Sequence, residues 1–490
     1  ARPTVACVTL GCPKNQVDSE AMLGILHRAG LATTADLGTA DVAIVNTCSF
    51  IEPAREESID AILEVARQKQ RGRLRALVVA GCLVQRYGRE LLREMPEIDA
   101  LLGTGALGEI GTVVSGLLAG EPGEERVHIG APGAPIAALD ARVLSTPPHH
   151  AYLKISEGCD HRCAFCIIPS LRGPLRSRPV ESLVAEAERL VEGGVRELNL
   201  ISQDTTGYGT DLPGGRAELP RLLAALDRVA GLVWIRLLYT YPAFWDERLM
   251  AAVAGLSHVV PYVDVPIQHV TDRMLKRMRR GIGAARQRRL LERLRERIPG
   301  VALRTTVLVG HPGERPEDHA ALVDALESFR FERLGVFPYS REEGTAAGED
   351  DAQVPPAEIT ARYEETVALA RRLALERHEE RLGELIEVMI DGPPVDGRTP
   401  ARSTWDAPEV DGTVWLEDGA GSAGTLVRAR VDACGPHDLF ARVNAREAPV
   451  DVSRITAVRS GADTTHLPPV APPPVWGHGE SSGDAGQGRR

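Results

Sequence analysis

The stretch SEGCDHRCAFCIIPSLRG, residues 156–173, decides how this chain is read. It sets Cys159, Cys163 and Cys166 in one loop, directly after the apolar run Tyr152–Ser156. A loop of this length lets three thiolates converge on one small inorganic centre, and soft thiolates suit iron–sulfur clusters or zinc. A structural zinc site ordinarily takes a fourth ligand. His161 lies within the loop and His149 and His150 just upstream, so spacing alone leaves both metals open. Working outward, further strand-like runs follow at Glu197–Ile201, Val233–Tyr239, Val259–Val265, Val301–Val309 and Leu334–Tyr339, with helical stretches such as Val180–Glu192 and Pro316–Phe329 between them. Six strand–helix repeats predict a barrel or partial barrel over residues 145–378, with its site in the loops at the C-terminal strand ends. Ser202, Gln203 and Asp204 after the second strand, and Gln268 and His269 after the fourth, are therefore candidate contacts for cofactor or substrate. The alternative for each is a loop cap or a satisfied polar residue.

Upstream, residues 3–119 alternate apolar runs (Val5–Leu10, Val42–Val45, Leu77–Ala80) with helical patterns, which reads as βα units on a parallel sheet. The runs end in VTLGC, AIVNTC and LVVAGC, so Cys12, Cys48 and Cys82 share one post-strand position. Loops after different strands of an open parallel sheet gather at one edge, so cysteines far apart in sequence can meet there. Gly11 and Gly81 would allow the close turn such a site needs. The alternative is three small buried hydrophobes, which is how Cys7, inside its run, is read; Cys434 reads as structural or incidental. Residues 120–144 are rich in Gly and Pro and read as a linker, apart from a short possible strand at Val127–Ile129. Residues 356–382 predict one amphipathic helix, leading into a small all-β module over 379–450 with strands around Leu385–Asp391, Val410–Leu416 and Thr425–Val431. The Pro-, Gly- and Ser-rich tail over 460–490 is expected to be disordered.

The chain has 490 residues, 43% hydrophobic and 26% charged, with eight cysteines and a formal net charge of −11. That is the composition of a soluble multidomain protein. No apolar run reaches the roughly 18 residues of a membrane span, and the N-terminal stretch has no secretory pattern. The expectation is a cytoplasmic protein whose grouped cysteines bind metal or do chemistry rather than pair as disulfides. The acidic balance argues against a dominant non-specific affinity for nucleic acid and allows a basic protein partner.

The cysteine loop resembles that of the radical S-adenosylmethionine (SAM) superfamily, with the aromatic Phe165 just before the third cysteine. TLGCPKNQVDSE (9–20), DVAIVNTCSFIEPAREES (41–58) and AGCLVQRYG (80–88) resemble the three cysteine segments of the methylthiotransferase family. The likeness continues through ISQDTTGYG, RLLYTYP, YVDVPIQH, RTTVLVGHPGE and PYSREEGTAA to a module with IDG, GRT and APEVDG, similar to a TRAM domain. It covers the chain to about residue 450. GCPKN at 11–15 and CIIPSLRG at 166–173 resemble the branch that modifies protein twelve of the small ribosomal subunit on the β-carbon of an aspartate; the tRNA-modifying branch reads more like GCQMN and CVVPYTRG. One departure is His311 in GHPGE, where the family usually has Phe.

The resemblance implies two [4Fe–4S] clusters: one on Cys12, Cys48 and Cys82, and one on Cys159, Cys163 and Cys166 that chelates SAM. Two clusters suit the chemistry. The target β-carbon has a strong C–H bond and no leaving group, so a side-chain base cannot readily remove its hydrogen. Homolysis by an adenosyl radical can, after which the carbon must receive sulfur held by the other cluster. A sulfide source, a reductant and an electron donor are implied as well, with a basic ribosomal protein, free or within the ribosome, as partner and no membrane. Over residues 379–447 there are 14 acidic and 7 basic residues. That balance suits a basic protein better than RNA phosphates, the alternative being a solvated acidic surface. The basic stretch Arg273–Arg297 is the counter-signal: it could face ribosomal RNA, or be a solvated helix face with acidic partners elsewhere. The competing functions are a tRNA adenosine methylthiotransferase and a non-catalytic iron–sulfur or zinc-binding module.

Overall fold

Valine, isoleucine and alanine runs with no alternation, such as VAIVNT and ALVVAG, can only be satisfied where both faces of a strand are covered. In the computed structural model, which describes residues 2–120, 126–132, 142–417 and 421–443, these runs are the centre of an N-terminal sheet. Strands β1 (Thr4–Thr9), β2 (Ala32–Thr33), β3 (Val42–Thr47), β4 (Ala76–Gly81), β5 (Ala100–Leu102) and β6 (Val127–His128) lie parallel in the order β2-β1-β3-β4-β5-β6. β3 and β4 are buried at every residue. Val5, Ile44 and Val78 pack with Met22 and Val114 on one face; Val45, Leu77 and Val79 pack with Ile62 and Val65 on the other. Cys7 belongs to the first of these cores, as its place inside β1 implied. The segment 120–144 is not all linker. The short strand expected at Val127–Ile129 is present: Val127 and His128 pair with Leu101 and Leu102 as the sheet's edge, so this sheet runs past residue 119, which the pattern alone did not assign to it.

The central domain holds β7 (His150–Lys154), a short antiparallel pair β8 (Ser156–Glu157) and β9 (Arg176–Ser177), then β10 (Glu197–Ile201), β11 (Trp234–Leu237), β12 (Val259–Asp264), β13 (Ala302–Val309) and β14 (Arg333–Pro338). β7 and β10 to β14 form one parallel sheet in sequential order, with β7 and β14 as its edges. This is the opened (β/α)6 arrangement expected from the six repeats. Alternate residues sort the two faces. Leu153, Leu198, Leu200 and Ile235 meet the surrounding helices, while Tyr152, Ile201, Trp234 and Tyr262 face inward. The inner face is covered from both sides: Val17 of the first domain and Met389, Ala407 and Leu426 of the last join that inner cluster.

The helix Pro356–Glu379 leads into a closed barrel of β15 (Leu385–Ile390), β16 (Thr399–Ser403), β17 (Val414–Leu416), β18 (Leu426–Cys434) and β19 (Leu439–Val443). β16 (TPARS) and β19 (LFARV) escape a pattern reading because they are short and carry Arg or Pro. The predicted strand at Val410–Leu416 starts only at Val414, since Asp411 turns back to accept the Ala407 amide at 2.9 Å. The tail 460–490 and residues 444–450 lie outside the described residues.

Part of this barrel's acidic character is turned inward. Asp406 pairs with Arg333, Asp391 with Arg402 (2.8 Å) and His149 (2.8 Å), and Asp411 accepts from Tyr262 at 2.6 Å. Arg402 also reaches Glu197 (2.7 Å), which holds the fully buried Arg236 at 3.0 Å. These carboxylates dock the barrel onto the central domain and are not offered to a partner. The basic stretch 273–297 is likewise partnered: Arg277 with Asp350 (2.6 Å), Arg295 with Glu332 (2.8 Å), and Arg273 with Asp318. Asp406→Ala removes one member of a buried pair and leaves Arg333 with only the 3.9 Å approach of Asp411. It is expected to lower unfolding stability by roughly 3–5 kcal/mol, read as an earlier urea transition, with the C-terminal barrel the first part exposed to protease.

Candidate active site at the domain junction

The central cysteine loop is closed at its base before any ligand is added. β8 and β9 clamp its two ends, the Cys159 amide donates to Gly173 O at 3.0 Å, and the Cys166 amide to Cys163 O at 3.1 Å. Gly158 sits at φ +81°, where an added Cβ would lie 2.0 Å from Pro174 O, so only glycine permits this closure. Burial pushes the Cys159 and Cys166 thiols up to about 12, and neighbouring anions raise them further, Asp204 and Cys163 at Cys159 and Cys163 at Cys166. Thiols so reluctant to ionise become thiolates readily only when a metal takes the charge.

The first-domain trio stands at the C-terminal ends of β1, β3 and β4, with β1 and β3 adjacent where the strand order reverses. This is where open parallel sheets bind ligands. Cys12 caps the 16-residue helix Pro13–Arg28, and Cys82 begins the helix Cys82–Tyr87. An added Cβ on Gly11 (φ +91°) would lie 2.6 Å from Cys48 Cβ and 2.9 Å from its Sγ, so the Cys12 turn and Cys48 approach each other through the missing side chain. Burial raises the Cys48 thiol strongly, and the nearby Cys82 and Cys12 raise it further; the three sulfurs are within electrostatic reach. Among the described residues no three His, Cys, Asp or Glu side chains close tightly enough for a single bound ion.

The two trios meet. Cys82 packs against Ile167 and Leu171, on the segment just after Cys166. A buried polar network ties the same junction. Asp18 accepts from Lys154 on β7 and from Arg172 (2.6 Å), while Arg172 also reaches Asn15. Glu157 accepts from Lys154 (2.7 Å) and Gln203 (2.7 Å). Arg55 and Arg86 both bind the buried Glu342, Arg86 at 2.7 Å, so EPAREES, LVQRYG and YSREEG hold the domains together.

Around the junction, Ser202 Oγ, Gln203 Oε1, Ser156 Oγ and both side-chain polar atoms of Asn199 are buried with no hydrogen-bond partner. Such groups await a polar ligand, and a nucleoside or amino-acid moiety has the donors and acceptors to meet them. The other sequence candidates divide. Asp204 is engaged in its own turn, accepting from Thr206 N (2.9 Å) and Gly207 N (3.1 Å), and it orients His161 of the cysteine loop at 2.7 Å. His269 is fully buried and satisfied: its Nδ1 accepts from Val270 N at 2.9 Å and its Nε2 faces Glu314 at 3.1 Å. Both are therefore positioning residues in this structure. Gln268, at φ +65°, continues the sheet by donating its amide to Thr306 O at 2.9 Å.

Lys14, Asn15, Asp18, Lys154, Glu157, Arg172 and Arg280 were not singled out by sequence reasoning. The signal available was a lysine inside an otherwise apolar strand, and a helix opening, PKNQVDSE, that is nearly all polar yet buried. Burial pulls the Lys14 ammonium down to about 8. Arg280 donates to Cys163 Sγ at 3.4 Å and lies over Tyr241, whose ring stacks on His161 at 3.7 Å. His311 meets Phe165 edge-on at 6.2 Å and is pulled down to about 4 by burial, so a neutral ring stands at this position.

Three family models match the chain: the uncharacterized protein family UPF0004 over residues 4–103, the radical SAM superfamily over 153–326, and the TRAM domain over 382–443. The chain is 47% identical to the ribosomal protein uS12 methylthiotransferase RimO of Anaeromyxobacter sp. (strain K), covering 90% of this chain and 93% of that one. It is 48% identical to the protein of the same name from Pelotomaculum thermopropionicum, covering 85% and 93%. Among solved structures, the radical SAM methyltransferase TsrM from Kitasatospora setae shares the fold at 16% identity and a TM-score of 0.51, covering 84% of this chain and 80% of that one. The chain belongs to the RimO family of radical SAM methylthiotransferases.

Proposed function

We propose that this enzyme adds a methylthio group to the β-carbon of an aspartate in ribosomal protein uS12, using two [4Fe–4S] clusters and SAM. Cys159, Cys163 and Cys166 would hold the cluster that chelates SAM, and Cys12, Cys48 and Cys82 the other. The observation that carries the reading is the contact of Cys82 with Ile167 and Leu171, which brings the two trios to one junction. When bound, the cofactors supply homolytic C–H chemistry and a sulfur reservoir. The chain's own residues do the rest. Arg280 places a cation on Cys163 and so stabilises negative charge at that ligand. The Asp204–His161–Tyr241 stack holds the cysteine loop in one orientation. The unpaired polar atoms of Ser156, Asn199, Ser202 and Gln203 offer contacts to a ligand at the junction. The covering domains exclude water from the reacting groups.

The relatives' name supplies uS12 as substrate, and the chain's net charge of −11 complements a basic protein. The reading requires an electron donor and a sulfide source, and it sets the enzyme in the cytoplasm with the ribosome. Among the described residues no helix is long and apolar enough to cross a membrane.

The deciding experiment incubates anaerobically reconstituted enzyme with uS12, SAM, sulfide and a reductant, and looks by mass spectrometry for a methylthio adduct on one aspartate. Modified tRNA with unmodified protein would overturn the substrate assignment. Cys12→Ala is expected to keep part of the 5′-deoxyadenosine formation and lose the methylthio product, whereas Cys159→Ala loses both; equal loss of both activities in a folded Cys12→Ala protein would contradict the division between trios. Gly11→Ala is expected to fold yet retain only about half of the iron and acid-labile sulfide, because its methyl group would lie 2.6 Å from Cys48 Cβ. Full iron content in that variant would show that this cradle is not a cluster site.

A further inference from the structure

Lys14 is the charged group at the junction that the cluster assignment leaves unexplained. It is the second residue of the helix Pro13–Arg28 and 7% exposed. Its ammonium lies 3.0 Å from the centroid of the Tyr239 ring and, among the described residues, forms neither a hydrogen bond nor an ion pair. Its cationic neighbours are all compensated: Lys154 by Asp18 and Glu157, Arg172 by Asp18 and Glu157, Arg304 by Asp264 at 3.0 Å. The carboxylates within electrostatic reach of Lys14 are already engaged. Asp264 holds Arg304 and the Tyr239 amide (2.8 Å), and Glu157 holds Lys154, Arg172 and Gln203. Its remaining anionic neighbour is Cys12, which the reading above commits to a cluster; a largely buried ammonium with no carboxylate of its own is unfavourable, and a lysine in the first turn of a helix also opposes the helix dipole. Tyr239 beneath it is held at φ +60°, a left-handed backbone rare for an aromatic residue, by its bond to Asp264 and by Thr205 N donating to Tyr239 O at 3.0 Å. Two local preferences are thus broken at one point, two residues from Cys12 and just past the C-terminal end of β11. Such violations collect where a ligand supplies what the protein lacks.

The geometry points to Lys14 as the specificity residue that reads the side-chain carboxylate of the target aspartate, the missing anion arriving only with the substrate. This rests on the function proposed above. A carboxylate is the group that meets a lone ammonium over an aromatic face with a charge-assisted hydrogen bond. SAM carries the other carboxylate that enters this mouth, and the test separates the two. The GCQMN form of the motif has methionine at this position, so Lys14→Met keeps the length of the side chain and removes only its charge.

The test uses the full chain with both clusters reconstituted. Binding of a synthetic peptide of the uS12 target loop is compared with binding of the same peptide carrying Asn for the target Asp, and SAM affinity is measured alongside. Wild type is expected to prefer the Asp peptide about tenfold or more. Lys14→Met is expected to bind the two peptides alike, to keep wild-type SAM affinity, and to unfold at or above the wild-type midpoint, since an uncompensated buried charge has gone. A purely structural lysine would lower that midpoint. Lys14→Arg is expected to restore part of the preference, and Lys14→Gln repeats the comparison should the methionine variant not fold. Retention of the Asp preference in the methionine or glutamine variant overturns the assignment, as does loss of SAM affinity with the preference intact. A wild-type enzyme that methylthiolates uS12 but shows no Asp preference overturns this assignment alone. One that neither binds nor modifies the protein overturns the functional reading, and this inference with it.

Discussion

A single carboxylate with no exposed surface organises this molecule. Asp18, on the helix that follows Cys12, binds Lys154 on the first strand of the central domain and Arg172 six residues beyond Cys166. Each of these charges would be prohibitive alone in the interior. Together with Glu157, which also meets Lys154 and Arg172, they neutralise one another only when the two domains stand in one relative position. The network therefore acts as a register: it has little reason to exist except to set the first cysteine trio against the second. Asn15 extends it, accepting from Arg172 and facing the Cys82 thiol at 3.9 Å, so the register reaches the ligands themselves.

The inner face of the central sheet carries the same logic to its two ends. Toward the C-terminal barrel, Glu197 and Asp391 meet Arg236 and Arg402, Asp406 meets Arg333 and Asp411 meets Tyr262, and that end is closed by the docked module. Toward the first domain the polar groups are left open: Ser156, Asn199, Ser202 and Gln203 hold unpaired atoms, and Lys14 holds an unpaired charge. Unpaired buried atoms occur at the barrel end too, such as His150 Nδ1 and Thr399 Oγ1; those of the junction are set apart by lying beside the cysteine trios.

The short motifs outside the cysteines gain a meaning in this light. EPAREES, LVQRYG and YSREEG converge on Glu342, while GHPGE and YVDVPIQH meet through the Glu314–His269 contact. These segments position the reacting groups from a distance. His311 fits the same pattern, since it is buried, neutral and packed on Phe165 of the cysteine loop, and so fills an aromatic position without bringing a charge to it.

Much of this was legible from the residues alone. All-apolar runs demand strands covered on both faces, and cysteines directly after such runs must emerge at one sheet edge; the six strands of the central domain and both trios follow from that local chemistry. Short pieces were not legible. Thr399–Ser403 and Leu439–Val443 are strands because partners align them, not because their own pattern requires it, and the sheet that takes Val127–His128 was settled only by pairing. Charge was only partly legible. The acidic balance of the C-terminal module read as a surface for a basic partner, and three of its carboxylates, Asp391, Asp406 and Asp411, turn inward instead; Asp204 and His269, candidates by position, meet His161 and Glu314 across the chain. Composition counts charges but does not say which face meets solvent. Pairing across 136 or 154 residues, as at Asp18, is settled only when the domains close on one another and each buried charge finds, or like Lys14 fails to find, its counter-ion.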